Sequence, residues 1–183
     1  MMPEISLNVL DVALNSITAG SRLTEIIISI DIAADTLEVI ISDNGAGMTP
    51  EQAEKVIDPF FTTRTTRKVG LGIPFIKMAA EFTGGTYSME SAPGKGTSIS
   101  AVFGLTHIDR MPLGDIAETM TSLIGPNPDL DFILRYCVND NGFAMDTREI
   151  RQVLEDISLN EPEVLEYISE YINENIDALG ARF

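Results

Sequence analysis

The chain is poor in the residues that build disulfides, metal cages and nucleic-acid surfaces. It has one cysteine, Cys137, and one histidine, His107, among 183 residues, so we expect no internal disulfide and no cysteine- or histidine-based metal centre. Lys and Arg number 12 against 28 Asp and Glu, which gives a net charge of −16. Because DNA, RNA and anionic membranes are bound through clustered basic residues, we expect none of them as partners.

Long apolar runs are also missing. No stretch approaches the roughly 20 residues of a membrane span, and the N-terminus lacks the order of a secretory signal, so we expect a cytoplasmic protein. Charge is unevenly spread: residues 1–105 carry 12 acidic and 7 basic side chains, and residues 106–183 carry 16 and 5. All four lysines lie in the first part. An anionic ligand is therefore expected there.

Apolar periodicity and turn residues predict three helices and four strands in residues 1–105. The first helix should begin at Ser6 and end at Gly20, with an apolar stripe of Leu7, Leu10, Leu14 and Ile17. A hairpin of strands 25–33 and 36–42 follows, then a short helix capped by Thr49. A helix beginning at Pro74 and a hairpin of strands 86–90 and 97–103 complete the region. The helix at Pro74 should bury Phe75, Met78, Ala79 and Phe82. We expect an α+β fold with an antiparallel-rich sheet and helices on one face.

Residues 106–183 are expected to form a second, acidic unit of unknown role. The pattern predicts a helix over 113–123, strands over 130–138 and 143–146, and helices over 147–157 and 161–178. Residues 139–142 should form the turn of the hairpin, because the pair Asn141-Gly142 accepts positive φ. The last helix should bury Val164, Leu165, Ile168, Ile172 and Ile176.

The stretch Asp43–Met48 stands out because it follows an apolar strand and contains two glycines, Gly45 and Gly47. Glycine reaches positive φ without steric cost, so such a stretch can bend closely around a ligand. Asp-Asn-Gly is equally a common surface turn. The stretch alone therefore leaves a ligand site and a plain turn both open.

Four pieces in a fixed order favour the ligand site. This order resembles the nucleotide-binding domain shared by gyrase, the heat-shock chaperone, sensor histidine kinases and mismatch-repair ATPases, called the Bergerat fold, over about residues 4–105. The pieces are Asp11-x-x-x-Asn15 on a helix, Asp43-x-Gly45-x-Gly47 after a strand, a basic loop after Asp58-Pro59-Phe60-Phe61, and Val69-Gly70-Leu71-Gly72 before a helix. The resemblance implies ATP and Mg²⁺ as ligands.

The resemblance also implies roles for individual residues. Asn15 would bind Mg²⁺ through its amide oxygen, and Asp43 would accept a hydrogen bond from the adenine amine. Gly45 and Gly47 would let the chain approach the base, Met48 would pack on it, and Thr97 would share a water with Asp43. As alternatives, Asn15 is simply an exposed polar residue of its helix and Thr97 a β-branched residue at the start of a strand.

The phosphates would be bound by the segment before the second long helix. Gly70, Leu71 and Gly72 would direct backbone N–H groups and a helix N-terminus at them. Arg64 and Lys68, with Arg67, would add positive charge from the loop. Basic residues in such a loop are equally often only solvated, so direct contact and solvation both remain open.

Asp11 stands four residues before Asn15, where gyrase-like ATPases carry a glutamate that acts as general base. A carboxylate there could orient or deprotonate an attacking water or hydroxyl. Aspartate is one methylene shorter than glutamate, so a structural or metal-supporting role is the rival interpretation.

The chain also departs from the family pattern. Lys68 replaces a usual glycine, Thr18 replaces a lysine common in histidine kinases, and His107 lies in no helical hairpin of the phosphoacceptor type. We therefore expect an ATPase or phosphotransferase that acts on a separate protein, as anti-sigma serine kinases do. The alternative is an ATP-sensing module that docks on a partner through its acidic C-terminal segment. A homodimer is compatible with both.

Overall fold

A computed structural model describes residues 2–58 and 71–180 of the chain, and six strands in them form one sheet. The strands are β1 (Leu23–Asp31), β2 (Thr36–Asp43), β3 (Thr86–Ala92), β4 (Gly96–Gly104), β5 (Asp131–Val138) and β6 (Asn141–Asp146). The helices of these residues are α1 (Ile5–Thr18), α2 (Pro50–Val56), α3 (Gly72–Phe82), α4 (Ile116–Ile124), α5 (Thr147–Leu154) and α6 (Pro162–Ala178).

The sheet order is β3-β4-β2-β1-β5-β6. The predicted hairpins β1–β2, β3–β4 and β5–β6 are confirmed as antiparallel pairs, and β2 pairs antiparallel with β4. Only β1 and β5 run parallel, with Ile26 opposite Leu134. The predicted α+β fold is confirmed. Strands from both halves of the chain share this sheet, and the division at residue 105 into two functional units stays a prediction.

One face of the sheet forms the core. Alternate residues of β1 and β2 are buried, among them Ile26, Ile28, Leu37 and Val39. On this face α1 packs on β1 and β2, α3 packs on β3 and β4, and α4 packs between α1 and α6. The opposite face carries polar pairs such as Ser100 to Glu38. A slip of one residue in any pairing would reverse these faces, so burial determines the register.

The predicted apolar stripe of α1 is only partly correct, because Leu10 and Ile17 are half-buried against the core but the other two residues are exposed. Leu7 and Leu14 are 38% and 41% exposed, whereas Val9 and Val12 are buried. The whole buried face consists of Ile5, Ser6, Asn8, Val9, Val12, Ala13 and Ser16. The smaller side chains of this face allow α1 to lie close to the sheet between α3 and α4. The helix also begins at Ile5, before the predicted Ser6, with Glu4 as N-cap.

The apolar side of α3 was also mispredicted in part. Met78 is 38% and Phe82 57% exposed, and Phe75 is half-buried. The helix buries Ile73, Ile76 and Ala80, together with the correctly predicted Ala79. It begins at Gly72, two residues before the predicted Pro74, because proline is also tolerated within the first turn.

Other helix ends follow from local backbone geometry. The cap of α2 is confirmed: Thr49 and Gln52 form a reciprocal capping box. Gly114 has φ of +83°, so α4 begins only after the Asp115 cap rather than at residue 113. Glu155 has φ of +54° and ends α5 at Leu154, before the predicted residue 157. The α6 stripe is confirmed, with Leu165 only half-buried.

The turn of the β5–β6 hairpin is shorter than predicted and occupies only the first two of residues 139–142. Val138 pairs with Asn141, so Asn139 and Asp140 form the turn and Asn139 has φ of +51°. Gly142 instead belongs to β6, where a Cβ would lie 2.6 Å from the carbonyl oxygen of Tyr136. Glycine at position 142 therefore allows β5 and β6 to lie close together and does not form the turn.

Candidate nucleotide-binding site

Asp43, the last residue of β2, is held by two hydrogen bonds. The Ser16 hydroxyl donates to Oδ2 at 2.7 Å, and the Gly45 backbone N–H donates to Oδ1 at 2.8 Å. Each carboxylate oxygen has a second acceptor position. The half-buried carboxylate can therefore accept another N–H, which fits an exocyclic amine such as that of adenine.

Hydrogen bonds hold the loop after Asp43 on two sides. The Asn44 side-chain oxygen accepts from the N–H groups of Arg22 at 2.9 Å and Leu23 at 3.0 Å. The Ala46 N–H donates to the Ala19 carbonyl at 2.9 Å, and the Ala46 carbonyl accepts from Gly94 N–H at 2.7 Å. The loop is thus bound to the end of α1 and to the β3–β4 turn.

Both glycines of the loop are required by packing within the protein. Gly47 has φ of +65°, and a Cβ there would lie 1.9 Å from the Ala92 carbonyl oxygen. A Cβ on Gly45 would lie 2.9 Å from Asp43 Oδ1 and 3.1 Å from the Ala19 carbonyl oxygen. These contacts explain the glycines by close backbone approach. Their approach to a base stays a prediction.

Ser91 of β3 connects two of the predicted residues. Its hydroxyl lies 2.9 Å from the Thr97 hydroxyl and accepts from the Met48 N–H at 2.9 Å. Thr97 in turn stands opposite Asp43 in the β2–β4 pairing. The structure therefore brings Asp43, Met48 and Thr97 together at one end of the sheet.

The polar side of α1 faces the start of α3. Asp11 and Asn15 are one helical turn apart, and both are half-buried. A Cβ on Gly72 would lie 2.6 Å from Asp11 Oδ2, so the first residue of α3 lies directly against this carboxylate. Leu71 is the N-cap of α3 and is half-buried. Arg64, Arg67, Lys68 and Gly70 lie outside the described residues.

Analysis of the sequence missed Ser16, Asn44 and Ser91. Ser16 directly follows Asn15, and the wrong choice of buried face placed it away from the sheet. Asn44 was treated only as a turn residue, although a side-chain amide beside a strand end is suited to bind backbone N–H groups. Ser91 gave no signal of its own, because its role depends on the pairing of β3 with β4.

Two titrating groups near these elements have shifted pKa values. Burial raises the pKa of Tyr87 on β3 to about 12, and its hydroxyl is enclosed with no hydrogen-bond partner among the described residues. Hydrogen bonds from its own backbone N–H and from the Thr49 hydroxyl lower the pKa of Glu51 at the start of α2. Tyr87 therefore stays neutral at physiological pH, whereas Glu51 stays charged.

The described residues contain no group of three His, Cys, Asp or Glu side chains that could hold a metal ion. Mg²⁺ does not need such a group when phosphate oxygens and waters fill most of its coordination sphere. One amide oxygen, such as that of Asn15, is then a sufficient protein ligand. The donor set fits magnesium brought in with a nucleotide.

Residues 4–107 match the family described as histidine kinase-, DNA gyrase B- and HSP90-like ATPases. The chain belongs to this family. It is an ATP-binding domain of the histidine-kinase type, as the order of its motifs predicted. The match includes α1, both N-terminal hairpins and the loop after Asp43, and so contains every predicted site residue.

Several relatives are named as sensor kinases. Sensor histidine kinase ZraS of Klebsiella oxytoca is 36% identical over 88 residues, which cover 48% of this chain and 19% of that protein. A protein named "Probable C4-dicarboxylate sensor kinase" from Bacillus subtilis is 36% identical over 86 residues, or 47% of this chain and 16% of that protein. The chain thus matches less than a fifth of the length of these relatives.

Solved structures show the same fold at low sequence identity. The Aquifex aeolicus MutL ATPase domain complexed with ADP has a TM-score of 0.51 at 14% identity, covering 85% of this chain and 70% of that one. The N-terminal domain of a DNA repair protein has a TM-score of 0.53 at 16% identity, covering 79% and 52%. Both likenesses extend beyond residues 4–107. Within residues 2–58 and 71–180, no helix combines the length and apolar character needed to cross a membrane.

Proposed function

We propose that this chain binds Mg-ATP and acts on, or together with, a separate protein as a phosphotransferase or ATPase. The observation that carries the proposal is the Asp43 carboxylate, held by Ser16 and Gly45 with acceptor positions left over. Asp43 would accept the adenine amine, and Thr97 and Met48 would line the same end of the pocket. Guanine carries a carbonyl where adenine has its amine, so this carboxylate would select adenine.

The phosphate end of the pocket would lie between α1 and the start of α3. Asn15 would be the protein ligand of magnesium, which supplies charge neutralisation for the phosphates. Leu71 and Gly72 would offer backbone N–H groups at the N-terminus of α3, whose partial positive charge favours anions. Gly70, Arg64 and Lys68 would also bind the phosphates. These three residues lie outside the described part of the chain.

Asp11 is the proposed general base. Its carboxylate lies at the contact between α1 and Gly72, one turn from Asn15, and so on the side of the helix where the phosphates would be. There it would orient and deprotonate an attacking water or a hydroxyl of the partner protein. The location of Asp11 beside Gly72 supports its role as general base, although its side chain is shorter than that of glutamate.

The proposal is tested with labelled ATP and Mg²⁺, using the purified chain and proteins that co-purify with it from its native cell. We expect phosphate release or labelling of a co-purified protein that is lost in Asn15→Ala. The matched control Asn160→Ala changes an exposed asparagine outside the site and should leave the signal unchanged. Equal signals from the protein and from Asn15→Ala would refute the enzymatic proposal.

A second function, ATP sensing without turnover, is favoured by a different observation. The start of α1 is bonded to the C-terminal half: Ile5 N–H donates to the Pro112 carbonyl at 3.0 Å and Ser6 N–H to the Leu113 carbonyl at 2.8 Å. The helix that carries Asp11 and Asn15 thus directly contacts the acidic region beyond residue 105. Nucleotide binding could then change how that region docks on a partner.

Asp11→Asn separates these two functions, because it removes the base but preserves the size of the side chain. The enzymatic proposal predicts loss of turnover with ATP binding largely retained. The sensing proposal predicts that partner affinity with a non-hydrolysable ATP analogue is unchanged by the substitution. Asp129→Asn, at an exposed position, is the control for the loss of one negative charge.

A further inference from the structure

A cavity of about 260 Å³ lies at the N-terminal end of α1, away from Asn15. Its walls come from Glu4 before α1, the segment 113–116 before and at the start of α4, Tyr136 on β5, and Asn173 and Ile176 on α6. Four parts of the chain that are distant in sequence therefore build it. None of the described residues of the proposed nucleotide site contributes to these walls.

Tyr136 is one of the residues that line this cavity. The residue is 1% exposed, and its hydroxyl forms no hydrogen bond with any described residue. Among the described residues, the only enclosed side-chain atoms without a hydrogen-bond partner are Asn8 Oδ1 and Tyr87 OH. The Tyr136 hydroxyl is not one of them, so it is not sealed in the core. Since Tyr136 lines the cavity, its hydroxyl faces that space. The hydroxyl is therefore available to a ligand in the cavity.

The described walls of the cavity carry negative charge without a compensating cation. Glu4 and Asp115 both line it, and neither forms an ion pair with a described residue. Among the described residues, no Lys, Arg or His contributes to the walls. The buried side chains of Leu113, Ile116 and Ile176 supply the apolar part. The site therefore suits a cation with an apolar stem.

The helix N-termini at the cavity do not reverse this preference. Each N-terminus acts as roughly half a positive charge, so two of them leave about one net negative charge beside the two carboxylates. The leading N–H groups are also occupied: those of Ile5 and Ser6 donate to the carbonyls of residues 112 and 113, and that of Glu118 donates to Asp115. An anion would find few free donors.

Gly114 brings the carboxylate of Glu4 close to the segment before α4. Its φ is +83°, and a Cβ would lie 2.4 Å from Glu4 Oε2 and 2.3 Å from Ser6 Oγ. Only glycine permits both this backbone conformation and this approach. Gly114 thus allows the segment before α4 to lie against Glu4, whose carboxylate accepts a hydrogen bond from the Ser6 hydroxyl at 3.3 Å.

We propose that this cavity binds a primary alkylammonium group, either of a free amine or of a lysine side chain. Such a group has three N–H donors, the number that Glu4, Asp115 and the Tyr136 hydroxyl can accept together. Its alkyl stem lies against Leu113, Ile116 and Ile176. Burial raises the pKa of Tyr136 to about 12, so the hydroxyl is neutral at physiological pH and can accept from an ammonium.

The test is an NMR titration of the ¹⁵N-labelled chain with n-butylamine as probe and n-butanol as its uncharged counterpart. For so small a ligand we expect a dissociation constant on the order of 1 mM, with shifts in the amides of Gly114 and Asn173. Butanol should bind at least about tenfold more weakly, because it lacks the charge. Nα-acetyl-lysine methylamide identifies the source: tighter binding than butylamine indicates a lysine side chain, and weaker binding indicates a free amine.

Three variants make the result specific. Tyr136→Phe removes only the hydroxyl and Asp115→Asn preserves a helix cap, so both should fold and both should weaken butylamine binding about fivefold or more. Glu118→Gln removes the same charge from the first turn of α4 outside the cavity and should have no effect. Equal weakening in Glu118→Gln, shifts spread over the acidic surface, or equal binding of butanol would overturn the proposal.

Discussion

The helices α1 and α6 have similar apolar repeats in the sequence, yet α6 buries most of its repeat whereas α1 buries its own only in part, through the half-buried Leu10 and Ile17. In α6 the repeat at Val164, Ile168, Ile172 and Ile176 is buried, whereas in α1 the repeat contains Leu7 and Leu14, which are exposed. The two helices differ in their neighbours. α6 packs on α4, whereas α1 packs on the sheet and also on α3 and α4.

This difference shows that a regular apolar stripe predicts a core face only for a helix with one buried side. A helix enclosed on three sides buries a wide arc, and small or polar residues such as Ala13 and Ser16 are useful where it lies close to the sheet. Its largest apolar residues can then lie outward. The nucleotide site depends on this arrangement, because Ser16 reaches Asp43 only from the buried side of α1.

The largest expected effect tests the buried stripe of α6. Ile172 is fully buried, so Ile172→Ala should lower the free energy of unfolding by about 2–5 kcal/mol through lost burial and the cavity left behind. Urea denaturation measures the change. Ile157→Ala removes the same atoms at an exposed position and should cost less than about 1 kcal/mol. Equal costs would mean that α6 is not part of the core.

The second prediction concerns the carboxylate that α1 holds in place. Asp43→Asn replaces one carboxylate oxygen with an NH₂ group that cannot accept, so we expect ATP affinity to fall by about 10–100-fold, as for a hydrogen bond to a charged group. Isothermal titration calorimetry gives the affinity, and circular dichroism verifies the fold. Asp129→Asn is the charge-matched control. An unchanged affinity would refute Asp43 as the adenine-binding residue.

A smaller effect is expected from Ser16, which distinguishes the two faces of α1. Ser16→Ala removes the 2.7 Å hydrogen bond to Asp43, so ATP affinity should fall by about 2–10-fold, the usual net value of one such bond. Ser122→Ala, at an exposed position of α4, is the matched control. If the two substitutions behaved alike, the orientation of α1 described above would be contradicted.

The sequence predicted local structure better than long-range arrangement. The hairpins were predicted correctly because apolar alternation and short turns are local patterns that extend over only a few residues. The parallel pairing of β1 with β5 was not predicted, since no local pattern relates strands about a hundred residues apart. The residues around Asp43 were found through resemblance, whereas Ser16 and Ser91 required the orientation of α1 and the β3–β4 register.

The smallest expected effect concerns the outward stripe of α1. Leu14 is 41% exposed and alanine favours helices, so Leu14→Ala should change the free energy of unfolding by less than about 1 kcal/mol. Val12→Ala removes fewer atoms from the buried face of the same helix and should nevertheless cost more, because a buried position leaves a cavity. Urea denaturation at several protein concentrations measures the two losses of unfolding free energy. Their order tests whether α1 buries its Val12 face rather than its Leu14 face. If Leu14→Ala costs more than Val12→Ala and its cost grows with protein concentration, a second copy of the chain covers the outward stripe. If that larger cost does not depend on concentration, α1 packs on the sheet through its Leu14 face.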